Sequence, residues 1–130
     1  MKVLFYVAVA ILAAHGLIHM MGFVAYWPLS TVAELPYKTA LFGGRWEVGA
    51  MGMKVYALLW LLTTIAFVAA TVGLVANRSW WPAFMIGTVI VSTLVILPDW
   101  APAFRGAYVN GAILVVMAIA YFLRGGLVLR

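Results

Sequence analysis

The chain has 130 residues and a net charge of +5, and apolar side chains dominate it. Hydrophobic residues make up 68% and charged residues 8% of the chain, whereas a soluble domain has roughly 45–50% and about 25%. A water-soluble globule is therefore excluded. Nucleic-acid binding is not expected either, because the cations stand singly at the ends of apolar segments, where they face lipid headgroups. The absence of cysteine excludes disulfides and zinc–thiolate sites.

Four apolar segments follow one another along the chain, and each predicts a membrane-spanning helix. They cover about residues 3–27, 55–76, 81–97 and 106–123. Such lengths are too great for membrane strands, which need about 9–11 residues with alternating polarity. We therefore expect a single all-α domain: an integral membrane protein whose four transmembrane helices form an antiparallel bundle with a long first connecting loop.

The first connection, from Pro28 to about Lys54, is too long to be a simple turn. Within it, Arg45, Trp46 and Glu47 predict a helix start, with Glu47 in a first turn where the helix dipole favours an anion. One interpretation is an interfacial anchor made of a salt bridge and an indole. The alternative is a clamp for the head group of a ligand.

Two histidines, His15 and His19, lie inside the first apolar segment. Four residues apart on a helix, they share one face about one turn apart, and imidazoles are costly within a membrane. Asn110, near the start of the fourth segment, is the best partner candidate outside the histidine pair. The rings are either packing groups that hydrogen-bond to neighbouring helices, or acid–base groups, since imidazole titrates near neutral pH.

A metal or haem site is the third interpretation of the histidine pair. Imidazoles on successive turns chelate well, and Glu47 is a candidate to complete a zinc or iron site with His15 and His19. Gly16 stands where the helix motif of zinc proteases has glutamate. Haem would take one histidine as an axial ligand, because two on the same face cannot bind opposite haem faces. Neither cofactor is favoured over none.

Charge favours one orientation of the chain in the membrane. With four spans, the two sides carry equal numbers of basic residues: Lys2, Arg78, Arg124 and Arg130 against Lys38, Arg45, Lys54 and Arg105. All three acidic residues lie on the side of the long loop. The free amino terminus and the lack of acids on the other side favour cytoplasmic termini, in the cytoplasmic membrane of a bacterium.

Two short motifs resemble a known group of proteins. The segment from His15 to Phe23, HGLIHMMGF, and the turn from Gly44 to Gly49, GRWEVG, are similar to segments of small bacterial four-helix membrane proteins without an assigned activity. The layout of the whole chain resembles the DoxX-like group of compact four-helix membrane proteins. This resemblance implies a link to quinone and redox systems, and it assigns no role to any residue of this chain.

The expected function is binding of a small apolar ligand or cofactor at a polar site around the two histidines. Arg45, Trp46, Glu47 and Asn110 are the further candidates for this site. The protein would then be an accessory or subunit of a membrane redox or lipid-related system. The alternatives are a structural or assembly protein without a cofactor, and a small oligomeric transporter. The expected partners are membrane lipids and a membrane protein or further copies of this chain; no pattern indicates a particular reaction.

Overall fold

The computed structural model describes residues 2–123, and most of them are helical. Three helical stretches are long and apolar enough to cross a membrane, namely Lys2–Tyr26, Gly49–Val75 and Trp81–Leu123. The elements in chain order are α1 (Lys2–Ile18), α2 (Met20–Tyr26), β1 (Ala40–Leu41), β2 (Trp46–Glu47), α3 (Gly49–Val75), α4 (Trp81–Ile96), a 3₁₀ turn (Leu97–Asp99) and α5 (Trp100–Leu123). Arg124 and Arg130, used above in the charge comparison, lie outside the described residues.

The first stretch is interrupted at His19, which separates α1 from α2. The His19 backbone N–H donates to the Gly16 carbonyl at 3.2 Å, while the ring Nδ1 donates to the His15 carbonyl at 2.9 Å. In a regular α-helix the backbone N–H of His19 would use that His15 carbonyl. The side chain thus replaces the backbone donor, and this local competition interrupts a run of residues that are otherwise helical.

Helices α4 and α5 lie side by side although they follow each other almost directly. Asn110 Nδ2 donates to Ser92 Oγ at 2.8 Å and to Thr93 Oγ1 at 3.1 Å. On one straight helix, residues 92 and 110 would be about 27 Å apart. The chain therefore bends sharply at the turn Leu97–Asp99. Accordingly, the predicted loop at 98–102 is a single 3₁₀ turn, and α5 begins at Trp100 rather than near residue 106.

The long connection contains a small hairpin where the sequence predicted a helix start. Strands β1 and β2 pair antiparallel, with Ala40 opposite Glu47 and Leu41 opposite Trp46. Gly43 and Gly44 take positive φ angles of 65° and 88° in the turn. Such angles close a hairpin and are costly for other residues. The prediction of a helix start at residues 45–47 is therefore wrong, and α3 begins just after the hairpin, at Gly49.

The core consists of two clusters at opposite ends of the helices. The loop-end cluster joins α2, α3, the end of α4 and the long connection, and its largest members are Tyr26, Met53, Tyr56, Trp60 and Ile96. The terminal-end cluster joins α1, α3, α4 and α5 around Leu12, Phe67, Met85, Val89 and Ile113. Large apolar side chains also cover the outside of every long helix, as expected where lipid rather than water surrounds the protein.

Candidate functional site

Five polar side chains form one hydrogen-bonded group between the two core clusters. His15 Nε2 lies 2.8 Å from Asn110 Oδ1, and His19 Nε2 lies 2.8 Å from Ser92 Oγ. Asn110 Nδ2 reaches both Ser92 and Thr93. We call these residues, His15, His19, Ser92, Thr93 and Asn110, the polar network. It joins α1 and the α1–α2 break to α4 and α5.

The partners determine which atom donates in each hydrogen bond of the polar network. His19 Nδ1 must donate to the His15 carbonyl, so a neutral His19 ring accepts at Nε2 from the Ser92 hydroxyl. Ser92 then accepts from Asn110 Nδ2, which leaves Asn110 Oδ1 to accept from His15 Nε2. Thr93 accepts the second Asn110 proton and donates to the Val89 carbonyl. Every N–H and O–H of these side chains thus has an acceptor without any charged member.

Aromatic rings and close helix contacts surround the two histidines. The Phe67 ring meets His15 edge to face, with centroids 4.9 Å apart, and the Trp60 ring lies 5.4 Å from His19. A Cβ on Gly16 would lie 2.6 Å from the Phe67 Cβ, so only glycine allows α1 to approach α3 this closely. Both histidines are buried. The rings are therefore held in place by packing as well as by hydrogen bonds.

A second polar group lies at the loop end of the helices. Asp99 is 2% exposed, and its carboxylate accepts hydrogen bonds from the Tyr26 hydroxyl and the Lys38 ammonium. The Phe42 backbone N–H donates to the Pro98 carbonyl at 2.7 Å. We call the Asp99, Lys38 and Tyr26 contact the loop latch, because it ties the long connection to the turn between α4 and α5.

The structure separates Arg45, Trp46 and Glu47 from the histidines. All three side chains are exposed on the hairpin, and Glu47 Oε1 accepts from the Gly49 backbone N–H at 3.0 Å, ahead of α3. Within residues 2–123, no group of three His, Asp or Glu side chains lies close enough to hold a metal ion. The predicted metal ligands His15, His19 and Glu47 therefore do not come together, because the hairpin turn keeps Glu47 on the surface. Of the ligand-site candidates, Asn110 alone meets the histidines.

An apolar cavity of about 420 Å³ lies at the terminal end of the helices, where the start of α1 faces the end of α5. Its inner wall includes the buried side chains of Leu12, Met85 and Ile113, while Phe5 and the 62%-exposed Val116 border its opening. Leu12 and Ile113 are each three residues from a network member, His15 and Asn110. Val109, which precedes Asn110 in the chain, also lines the cavity. The polar network therefore lies close to the inner end of the cavity.

The sequence signals for these features were unequal. A membrane asparagine needs a partner, and this rule pointed to Asn110. Ser92 and Thr93 carry a weaker signal, because a hydroxyl within a helix can bond to a carbonyl of its own helix. Nothing in the spacing of residues indicated that Lys38 would pair with Asp99, because that contact depends on the path of the long connection. The cavity had no sequence signal, since apart from Asn77 its lining is as apolar as the lipid-facing surface.

No protein-family model, no curated protein and no solved structure matches this chain. The DoxX-like resemblance therefore stays a prediction, and the function is argued from the geometry of the described residues.

Proposed function

We propose that this chain is an integral membrane protein that binds an apolar chain molecule, a lipid acyl chain or an isoprenoid tail, in the cavity between α1 and α5. One observation carries the proposal: a mostly apolar cavity of about 420 Å³ that has buried side chains in its inner wall and exposed side chains at its opening. Binding sites for small molecules are typically concave, mostly apolar and about 300–1,000 Å³ in volume. Its opening lies among outward-facing side chains of the apolar helices, where a chain from the bilayer can enter.

The polar network positions the helices that form this binding site and does not itself bind the chain molecule. Its hydrogen bonds hold α1 against α4 and α5 at one level, and nearer the termini the cavity lies between α1 and α5. Both histidine Nε2 atoms are already engaged, by Asn110 and by Ser92. A metal or haem ligated through either atom would have to break a bond of the network. Within residues 2–123 no third His, Asp or Glu side chain joins the pair either. We therefore propose a positioning role for the histidines rather than a metal or haem site.

The topology we propose has four membrane spans in an antiparallel arrangement, with α4 and α5 as separate spans. Support comes from the side-by-side packing of these two helices. Helix α4 has 16 residues, about 24 Å of helix, against about 30 Å of hydrocarbon in a bilayer. The bilayer is expected to thin around it. Orientation follows the charges, with the termini in the bacterial cytoplasm.

Because the chain lacks cysteine, single cysteines test this topology directly. Glu34→Cys, Ser79→Cys and Ala101→Cys place one thiol each in the long connection, in the turn between α3 and α4 and at the exposed start of α5. We expect an impermeant thiol reagent to label Glu34→Cys and Ala101→Cys from outside intact cells and Ser79→Cys only after lysis. Failure of the reagent to reach Ala101→Cys from the side that labels Glu34→Cys would contradict the four-span arrangement.

Bound molecules provide the test of the cavity. The protein is purified in mild detergent, and its retained lipids and isoprenoids are extracted and quantified by mass spectrometry. Ala8 lines the cavity, whereas Ala10 faces outward, so Ala8→Phe and Ala10→Phe form a matched pair. We expect Ala8→Phe to lower the retained chain molecule at least about fivefold, the ratio that corresponds to about 1 kcal/mol of steric cost. The chemical identity of the lost molecule distinguishes a lipid from an isoprenoid.

A second pair protects this test against misfolding of one variant. Ala112 lines the cavity on α5 and Ala118 does not, so Ala112→Phe should lower retention while Ala118→Phe should not. Equal retention in all four variants and the wild type would contradict the proposed function.

A structural or assembly role is the second candidate. The hydrogen bonds of the polar network run between its own members and the helix backbone, so the network holds the helices together without a ligand. This role predicts unchanged capture of the protein's membrane partner when the cavity is filled. It also predicts loss of that capture when Asn110 is replaced. The first candidate predicts that Ala8→Phe and Ala112→Phe lower the retained chain molecule while the helices stay assembled.

A further inference from the structure

The tip of the hairpin presents two stacked aromatic rings and a cation to the surroundings. Phe42 and Trp46 lie with ring centroids 6.1 Å apart and planes 21° apart, and they are 45% and 60% exposed. Arg45 lies between them in sequence and is also exposed. A pair of exposed aromatic rings beside a cation is unusual on a surface that only water covers, because removing the rings from water is favourable.

The aromatic pair is exposed although the backbone of Phe42 takes an unfavourable conformation. Phe42 has a φ of 52°, a left-handed conformation that a bulky side chain rarely adopts. Its N–H donates to the Pro98 carbonyl, and the loop latch at Asp99 fastens the same connection through Lys38. The hairpin is therefore a fixed feature of the loop end, attached directly to the turn between α4 and α5.

Other residues at the loop end have the composition of a membrane–water interface. Lys54 lies over the Trp27 ring, 5.4 Å from its centroid, and the Trp100 indole at the start of α5 is 47% exposed. Tryptophan and basic residues concentrate at the level of lipid headgroups, where the ring is half-immersed and the cation meets phosphate. The hairpin belongs to this aromatic and basic layer and continues it beyond the helix ends.

We propose that the hairpin turn, residues 42–46, is a binding surface for the headgroups of anionic phospholipids. Phe42 and Trp46 lie in the interfacial layer of the bilayer, and the Arg45 guanidinium contacts a lipid phosphate. Arginine suits this role because its planar fork binds phosphate through two hydrogen bonds. The surface is independent of the cavity, which lies at the opposite end of the helices.

A spin label beside the aromatic pair tests the position of the hairpin. Glu47→Cys and Glu34→Cys are matched substitutions on the long connection, and each would carry the only thiol. In vesicles of phosphatidylcholine with phosphatidylglycerol, we expect the label at residue 47 to collide more with oxygen and less with a water-soluble nickel chelate than the label at residue 34. Replacing Trp46 with Ser should move the residue-47 label towards water. A residue-47 label as exposed to the nickel chelate as one on a soluble peptide would overturn the proposal.

The phosphate contact has its own readout. Phosphatidylglycerol is titrated into phosphatidylcholine nanodiscs that hold the labelled protein, and the change in label mobility gives an apparent affinity. We expect Arg45→Gln to weaken this affinity about fivefold, the factor for one basic residue near an anionic surface. Arg78→Gln, at the other end of the helices, should leave it unchanged. An Arg45→Gln response equal to the wild type would overturn the assignment of Arg45, whatever the retained lipids in the cavity show.

Discussion

Replacing Asn110 with Leu removes the residue that connects three helices in the polar network. Its side chain takes part in three hydrogen bonds, with His15, Ser92 and Thr93. Interhelical hydrogen bonds in membranes contribute about 0.6 kcal/mol on average, so their loss amounts to about 2 kcal/mol. The buried His15 N–H then lacks an acceptor, which adds about 1–2 kcal/mol. We expect the free energy of unfolding to fall by about 3–4 kcal/mol.

Unfolding in mixed micelles, with increasing dodecyl sulfate and helix content followed by circular dichroism, measures this change. Thr88→Val is the matched control, because within residues 2–123 the Thr88 hydroxyl makes a single hydrogen bond, donated to the Phe84 carbonyl of its own helix. It should change stability by less than about 0.5 kcal/mol. A double-mutant cycle with His15→Leu tests the coupling of the two residues. The unfolding free energy of the double variant should fall by at least about 1 kcal/mol less than the sum of the two single-variant changes. Additive losses, or an Asn110→Leu effect no larger than the control, would refute the network described above.

Two further substitutions test the packing of α1 and the loop latch. Gly16→Ala places a methyl group 2.6 Å from the Phe67 Cβ and should cost about 1–3 kcal/mol of unfolding free energy. At Gly87 a methyl group would meet no neighbouring side chain or helix within 4 Å in the described part of the chain, so Gly87→Ala should be neutral or stabilising by about 0.5–1 kcal/mol. Equal effects of Gly16→Ala and Gly87→Ala would contradict the close approach of α1 to α3. Asp99→Asn removes the charge that holds Lys38, whose side chain is 34% exposed. We expect trypsin to cleave the long connection about fivefold faster, as for a partly screened ion pair, and an unchanged rate would contradict the latch.

The helical character of the chain was predictable, whereas its side-to-side packing was not. Apolar runs of membrane length leave the backbone no alternative to helix, since every N–H and C=O must be paired within the segment. The same runs carry apolar residues on all sides, so no polar stripe shows which face of a helix meets its neighbour. Ile113 and Val116 on α5 illustrate this: one is buried and the other is exposed, although both are β-branched aliphatic residues.

Local competition for hydrogen bonds explains the main differences in element boundaries. The sequence predicted one uninterrupted first helix, but the His19 side chain takes the His15 carbonyl and breaks it. It predicted a helix start at Arg45, but left-handed residues before it form a hairpin. The break at His19 and the hairpin turn each depend on the backbone conformation of one or a few residues. The spacing of apolar residues along the chain does not predict such conformations.

The candidate site was predictable only where a residue type demanded a partner. Histidine and asparagine in an apolar segment must bond to something, and the structure places His15 and Asn110 within 2.8 Å of each other. Glu47 carried no such demand, because a carboxylate in a loop is satisfied by water or by a backbone N–H. Its placement with the histidines required a fold of the long connection that the hairpin does not adopt.

Photochemical crosslinking tests the central claim, occupation of the cavity, most directly. The protein is reconstituted with a fatty acid or an isoprenoid that carries a photoreactive group on its chain, irradiated, digested and mapped by mass spectrometry. Binding in the cavity predicts crosslinks on the buried lining residues Leu12 and Ile113, with both lost in Ala8→Phe and retained in Ala10→Phe. Crosslinks confined to outward-facing residues such as Val3 and Ile119, with the same pattern in both variants, would contradict it.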